Sequence, residues 1–401
     1  MNPESSPVMI PGWLVLLGAL TALAPLSIDM YLPALPVIEQ GLMAPAGSIS
    51  LTLAAFFVGM ALGQLFYGPL SDRFGRKPPL YAGLALYVLA SLGCMLADNI
   101  TMLIMCRFLQ ALGGCAGAVI ARAIVRDRCS ANESARAFSM LMLVMGLAPI
   151  LAPVFGGWLL VWVGWRWLFL ALALFGAACM LVMHKRLEET HDTRHAEPLE
   201  LGSVLKGYAR LCRNRAFLGY TLSGGLGMAG MFAYITGSPF IFIELYHLSP
   251  QHYSLLFGSN ALALITASQL NVWQLQRMSL TRLLRRTLWM PAIAATALLL
   301  LSFTPWLTWW LLWIGFFVFV GSLGFINPNA SAAALATHGQ QAGMASALMG
   351  ALQFGLATLS GSMVGLWHDG SSLPLVVIMM VCGVGAWLSH YCLIKPHEGS
   401  K

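Results

Sequence analysis

Gly68, Pro69, Leu70, Ser71, Asp72, Arg73, Phe74, Gly75, Arg76, Lys77, Pro78, Pro79 and Leu80 form a short basic turn between two apolar runs, 48–70 and 79–97. Glycine and proline at these positions force the chain to reverse. The charges must then sit where a membrane-crossing segment surfaces into water. A helix, a wet turn and a second helix is the unit from which the rest of the chain is read.

Composition supports that unit throughout. The chain of 401 residues is 58% hydrophobic and only 9% charged, with a mean hydropathy of +0.76. A soluble globular domain carries about a quarter charged residues. The length leaves room for about twelve spans of roughly 20 residues with short connections. The net charge of +7, from 22 basic and 15 acidic residues, would suit nucleic acid if it formed one patch. It does not: Arg73, Arg76 and Lys77, then Arg126, Arg128 and Arg136, then Lys185 to Arg215, then Arg277 to Arg286, then Lys395 fall in alternate gaps between apolar runs. Arg166 is the clear exception. This asymmetry predicts a polytopic protein with both termini in the cytoplasm and no nucleic-acid partner.

The expected spans are 12–36, 48–70, 79–97, 101–122, 137–161 and 166–184, then 216–243, 252–273, 284–303, 307–327, 341–366 and 372–394. The fold class is therefore an all-α membrane protein with twelve transmembrane helices in two six-helix halves. The halves are 1–184 and 216–401, joined by a polar linker at 185–215. After Pro198 the linker places Leu199, Leu201, Val204, Leu205, Tyr208 and Leu211 among polar residues, a spacing that suits a helix lying along the cytoplasmic membrane face. Internal repetition is weak: the gap Gln276 to Arg286 matches the opening turn in basic charge but lacks its glycine–aspartate framework. Residues 12–24 mimic a signal peptide, but Glu4 precedes them and Pro25 follows, so an uncleaved first span is expected. The eight cysteines are scattered without a C-x-x-C pair, which leaves disulfide and metal sites without support.

Chemistry in a bilayer starts from ionisable groups inside it. Asp29, in the outer half of the first span, is the one acid placed well within an apolar run, and Arg107 lies at similar depth in the fourth span. Asp29 and Arg107 are expected to pair as a proton-coupling site, in which protonation of Asp29 alternates with cargo binding. A second constellation is a conformational latch built from Gly68, Asp72, Arg73, Gly75, Arg76 and Asp127. Asp72 would accept bonds from the backbone amides that open the eleventh span, near Gln340 to Gly343, and Arg73 and Arg76 would reach Asp127. Span five carries Pro149, Pro153, Gly156 and Gly157, which predicts a kinked helix with a smooth packing face.

The opening turn resembles the signature loop of the major facilitator superfamily, G-x-L-[AS]-D-R-x-G-R-K-x-x-L. Span five resembles that superfamily's antiporter motif, with Ala152 where a glycine usually precedes the proline. The helix-four motif R-x-x-Q-G is matched at Arg107 and Gln110 and broken at Ala111. Ser27 to Pro36, Gly63, Gln64, Tyr67, Ala148, Ala229 to Phe232 and Ser238 to Glu244 narrow the likeness to the Bcr/CflA branch of drug–proton antiporters, and within it to bicyclomycin-resistance-type exporters. That resemblance implies a bacterial inner-membrane protein exporting drugs or small metabolites on the proton gradient. It implies no cofactor.

Candidate cavity residues are Tyr31, Phe56, Phe232, Tyr234, Asn260, Gln269, Asn327 and Gln353, aromatic faces and neutral polar groups suited to varied amphipathic ligands. Asn327 and Asn329 flank Pro328, so they are equally suited to backbone groups freed by the proline. The leading expectation is a proton-coupled antiporter that exports drugs or other small amphipathic molecules by alternating access and works as a monomer. The alternative is a proton-coupled or facilitated transporter of a metabolite or nutrient such as an amino acid or nucleoside. An enzyme would need a nucleophile–base pair or a metal cluster, and ATP-driven transport a P-loop; the sequence offers neither.

Overall fold

A computed structural model describes residues 12–45, 47–128, 131–190, 201–336, 342–367 and 369–394. Every regular element in them is helical. The first half contains α1 (Gly12–Asp29), α2 (Leu35–Gly41), α3 (Ser50–Phe74), α4 (Lys77–Met95), α5 (Ile100–Arg128), α6 (Ala131–Val163) and α7 (Arg166–Arg186). A short helix, α8 (Leu201–Arg213), precedes the second half. That half contains α9 (Arg215–Pro239), α10 (Pro250–Leu275), α11 (Leu280–Thr287), α12 (Trp289–Leu301), α13 (Trp309–Ala336), α14 (Ala342–Leu366) and α15 (Leu373–Leu393).

Eleven of the described helical segments are long and apolar enough to cross a membrane, and α6, apolar over Leu147–Val163, makes the twelfth. Prolines decide where these spans depart from straight helices, because proline has no N–H for the carbonyl four residues earlier. Pro33 leaves the Asp29 carbonyl without its helical partner, so the first span breaks after Asp29 into a 3-10 turn (Leu32–Ala34) before α2. Pro239 leaves Ile235 in the same position, and α9 runs on as π-helix from Phe240 to Leu245. Pro291 does this to Thr287, where α11 ends and α12 begins after Leu288, so the ninth span is two helices.

Within the first half α5 packs against α3 and α4, and α1 against α5 and α6; in the second, α9 packs against α14 and α15, and α10 against α13. The halves meet along α3 with α14 and along α6 with α10. They also meet at the end of the first span, where its 3-10 turn touches α9 and α10. The linker helix α8 lies against α9 and α14, with Leu211 buried and Tyr208 beside it. The linker's Pro198 and Leu199 fall outside the described residues.

Candidate functional site

Asp29 is the last residue of α1, at the break made by Pro33, and is only 4% exposed. Its side chain is on the seam between halves. The 3-10 turn that follows it meets α9 and α10 of the second half, which carry Tyr234 and Tyr253. Around them Asn260 Nδ2 donates to the Tyr234 hydroxyl at 2.8 Å, and Ser238 Oγ lies 3.1 Å from the Tyr253 hydroxyl. Asn260 Oδ1 has no hydrogen-bond partner among the described residues. Tyr234 and Asn260, predicted as cavity residues, are thus brought together where α9 meets α10, and each is buried.

Arg107 is fully buried in α5, and no ion pair or hydrogen bond joins it to Asp29 among the described residues. The expected pair is not formed, and the helix period explains why. Arg107 Nη1 donates to the carbonyl of Ser27 at 2.9 Å. Ser27 and Asp29 are two positions apart, about 200° around a helix, so the face that meets α5 is not the face that carries Asp29. The guanidinium rests instead over the rings of Tyr31 and Phe56, 4.6 and 4.4 Å from their centroids. Such contacts contribute about 0.5–2 kcal/mol each and offset part of the cost of a cation in oil. Arg107 Nη1 also donates to Gln110 Oε1 at 2.6 Å, and Gln110 Nε2 donates to Ser91 Oγ at 2.8 Å. Ser27 Oγ, which gives its hydrogen to the Leu23 carbonyl at 2.6 Å, accepts from the Tyr87 hydroxyl at 2.7 Å. The result is a buried polar ring joining α1, α4 and α5. Arg107 Nε and Nη2 have no hydrogen-bond partner among the described residues.

The proline–glycine helix braces this region from both sides. A Cβ on Gly156 would collide with the carbonyl of Met30, the residue after Asp29, so only glycine lets α6 approach α1 there. Ser254 of α10 donates to the carbonyl of Pro153 at 3.0 Å, beside Gly157, which ties α6 to the other half. Pro149 lies one turn earlier in the same helix.

The basic turn is a closed set of ionic bonds. Arg76, 4% exposed, donates through Nε to Asp127 Oδ2 at 2.7 Å, through Nη2 to Asp127 Oδ1 at 3.2 Å, and through Nη1 to Asp72 Oδ1 at 2.5 Å. Burial works against the Arg76 charge, but the bonds to Asp127 and Asp72 outweigh it, and the guanidinium holds its proton more tightly than usual. Arg73 is exposed at the end of α3, and Gly68 lies about one and a half turns earlier, within α3. Of Gln340 to Gly343, where Asp72 is expected to find backbone amides, 340 and 341 fall outside the described residues; the bond described for Asp72 is the one to Arg76. Glu189, just past α7, completes the set. Its Oε1 accepts from Arg76 N at 2.8 Å and its Oε2 from Lys77 N at 2.9 Å, at the opening of α4. Thr190 Oγ1 donates to Asp127 Oδ2 at 3.1 Å. Gly75 has φ +86° and ψ 171°, and a Cβ there would press on the Glu189 carboxylate.

The remaining predicted cavity residues divide by exposure. Tyr31 and Phe56 are buried around Arg107, and the Tyr31 hydroxyl lies 2.9 Å from Thr52 Oγ1. Phe232 packs between Phe57 and Phe354, 4.5 and 5.6 Å away by ring centroids, where α9 meets α3 and α14. Asn327 and Gln353 are half-buried and 3.5 Å apart, and Gln269 is exposed. Asn329 instead exchanges amide bonds with Asn271 of α10, at 2.7 and 3.5 Å. A recess between the halves on the opposite face, lined by Glu39, Ser50, Thr236 and Glu244 among others, includes none of the predicted cavity residues.

Sequence reasoning missed Ser27, Tyr87, Ser91, Glu189, Phe57, Phe354 and Arg122, whose Nη2 donates to Gln64 Oε1 at 3.1 Å. Only Arg122 carried a usable signal, a cation within the apolar stretch of α5. The profile of the Major Facilitator Superfamily matches residues 17–365. An uncharacterized MFS-type transporter, YdgK of Bacillus subtilis, is 37% identical over 389 residues, covering 96% of each chain. A bicyclomycin resistance protein homolog of Haemophilus influenzae is 30% identical over 401 residues, covering 100% of both. The crystal structure of a bacterial homolog of the human lysosomal transporter Spinster, inward-facing and occupied, superposes with a TM-score of 0.71 at 15% identity, covering 96% of this chain and 98% of that one.

Proposed function

The chain belongs to the Major Facilitator Superfamily, and from that premise we propose that it is a proton-coupled antiporter exporting drugs or other small amphipathic molecules by alternating access. A membrane transporter rather than an enzyme is what membership of the family entails. The resistance protein among its relatives supports drug export, and the likeness to the Bcr/CflA branch supports a bacterial inner membrane with both termini cytoplasmic.

One observation carries the proton coupling: a buried carboxyl with no cation bonded to it, at a helix break on the seam between halves. An ionised carboxylate without a counter-ion is costly in a low-dielectric interior, so Asp29 keeps its proton while the seam is shut. When the halves rock, the 3-10 turn separates from α9 and α10 and water reaches the acid. The proton then leaves to the side that is open. Arg107 is held by its aromatic faces and polar ring, and its two unpartnered nitrogens, Nε and Nη2, leave it able to take a new acceptor when the halves move. Cargo occupies the space beside Asn327 and Gln353 under the Phe57–Phe232–Phe354 cluster, where aromatic faces and neutral amides accept varied shapes. The Arg76–Asp127–Glu189 set holds the basic end of the first half in one arrangement and is the part that must yield when access alternates.

Inverted vesicles energised by respiration test this reading. Lumenal pH is followed while a panel of drugs and metabolites is added. Cargo compounds discharge the gradient in wild type and fail to do so in Asp29→Asn at equal protein in the membrane. Equal discharge by both proteins removes Asp29 from the coupling.

A further inference from the structure

The second half has its own basic loop, and nothing in the transport reading uses it. Arg277, Arg282, Arg285 and Arg286 lie around the α10–α11 turn, and the chain has no Asp or Glu between Glu244 and Asp369. Accordingly none of these arginines makes an ion pair or side-chain hydrogen bond among the described residues. The helix α11 buries Leu283, Leu284 and Thr287 and turns Thr281, Arg282, Arg285 and Arg286 outward. It carries this polar side at the start of the ninth span.

Among the described residues, aromatic and imidazole rings rather than acids adjoin these cations. Arg285 lies within electrostatic reach of His390, near the end of α15. His390 is 7% exposed, and its Nδ1 has no hydrogen-bond partner among the described residues; the same holds for Trp387 Nε1 one turn earlier. Trp289, at the start of α12, lies 4.6 Å from Trp387 by ring centroids, and Trp387 lies 4.9 Å from Tyr391. Trp289 and Tyr391 are both partly exposed, at the depth where amphipathic rings favour the headgroup layer. Beyond them the outer faces of α12 and α15 are apolar, with Met290, Ile293 and Leu388 exposed.

We propose that the shelf between α11 and the end of α15 binds the phosphate headgroup of an anionic phospholipid, with its chains along α12 and α15. Among the described residues the arginines have no negative partner. Arg285 and His390 are both complemented by an anion placed between them, and the unsatisfied ring nitrogens at this end of α15 are suited to phosphate oxygens. Lipid, rather than a soluble phosphate, follows from continuity: the charged shelf runs directly into an exposed aromatic rim and an apolar wall. This inference is independent of proton coupling and of the cargo.

The test is native mass spectrometry of the full chain in mild detergent, titrated with phosphatidylglycerol and with phosphatidylcholine of the same acyl chains. Wild type is expected to retain phosphatidylglycerol in preference, and the combined Arg282→Gln, Arg285→Gln, Arg286→Gln variant to lose that preference by more than about tenfold. A Lys185→Gln, Arg186→Gln variant, altered at the basic end of α7, is expected to keep it. Equal retention by the triple variant overturns the site, and equal loss in the α7 variant replaces it with diffuse attraction to the whole basic face. Displacement of the lipid by excess glycerol phosphate overturns the lipid as occupant. Trp387→Phe keeps the ring stack and removes one N–H. It is expected to weaken retention severalfold at an unchanged melting temperature, and unchanged retention overturns the part assigned to this end of α15.

Discussion

The α3–α4 turn and the α10–α11 turn occupy matching places in the two halves and treat their arginines in opposite ways. In the first, Arg76 is buried, bonded by Asp127 and Asp72, with Glu189 accepting its backbone amide. In the second, Arg282, Arg285 and Arg286 stand outward with no ion pair among the described residues. Basic charge is common to both and satisfies the topological need of a turn on this face. The carboxylates differ, and they decide whether a basic turn is a joint or a rim. A buried guanidinium gripped by acids resists movement, whereas an exposed one is at the disposal of whatever adjoins it.

The contrast is most easily broken at Asp127. Asp127→Ala leaves Arg76 buried with half its ionic partners, and loss of about 3 kcal/mol of stability is expected from uncovering a buried charge. A lowered melting temperature in detergent reads it; an unchanged one would mean that the joint is no tighter than the rim. Gly75→Ala comes next. Its backbone, at φ +86° and ψ 171°, is one that other residues adopt at about 1–3 kcal/mol, and the added carbon presses on Glu189. A melting shift smaller than that of Asp127→Ala but of the same sign is expected, with slower transport.

Glu189 sharpens the comparison, because it lies over a hundred residues from the turn that it caps. Glu189→Ala is expected to cost about 1 kcal/mol, as the loss of a helix cap does, and Glu189→Gln less, since an amide oxygen still accepts one N–H. Equal effects from both would assign its role to charge alone. The smallest effect belongs to the second turn. Arg286→Gln is expected to shift stability in detergent by no more than about 0.5 kcal/mol, as an exposed substitution away from special features does. A drop as large as that at Asp127 would show a hidden acid partner and erase the difference.

Much of this was legible in the sequence, for reasons of scale. Apolar runs and alternating basic gaps are local signals, and they locate the spans, whereas the break after Asp29 falls inside the continuous span expected over 12–36. The ninth span shows the limit: Pro291 is visible, but the separation of α11 from α12 follows from which carbonyl it leaves unpaired. Long-range pairing was poorly legible. Asp29 and Arg107 are each conspicuous, yet depth along two helices says nothing of angle, and Arg107 bonds the carbonyl of Ser27 rather than Asp29. Ser91, Tyr87 and Gln110 form a network only because α4 and α5 pack closely. Glu189 looked like one more polar linker residue until the fold carried it to the start of α4.

Proton exchange at Asp29 is tested most directly by binding alone. Purified protein in weakly buffered detergent solution is given a cargo compound taken from the vesicle panel, and the pH of the solution is followed. Wild type should release a proton on binding and Asp29→Asn should bind without release. The same release from both proteins would place the exchanging proton on another group and leave Asp29 as a structural acid at a helix break.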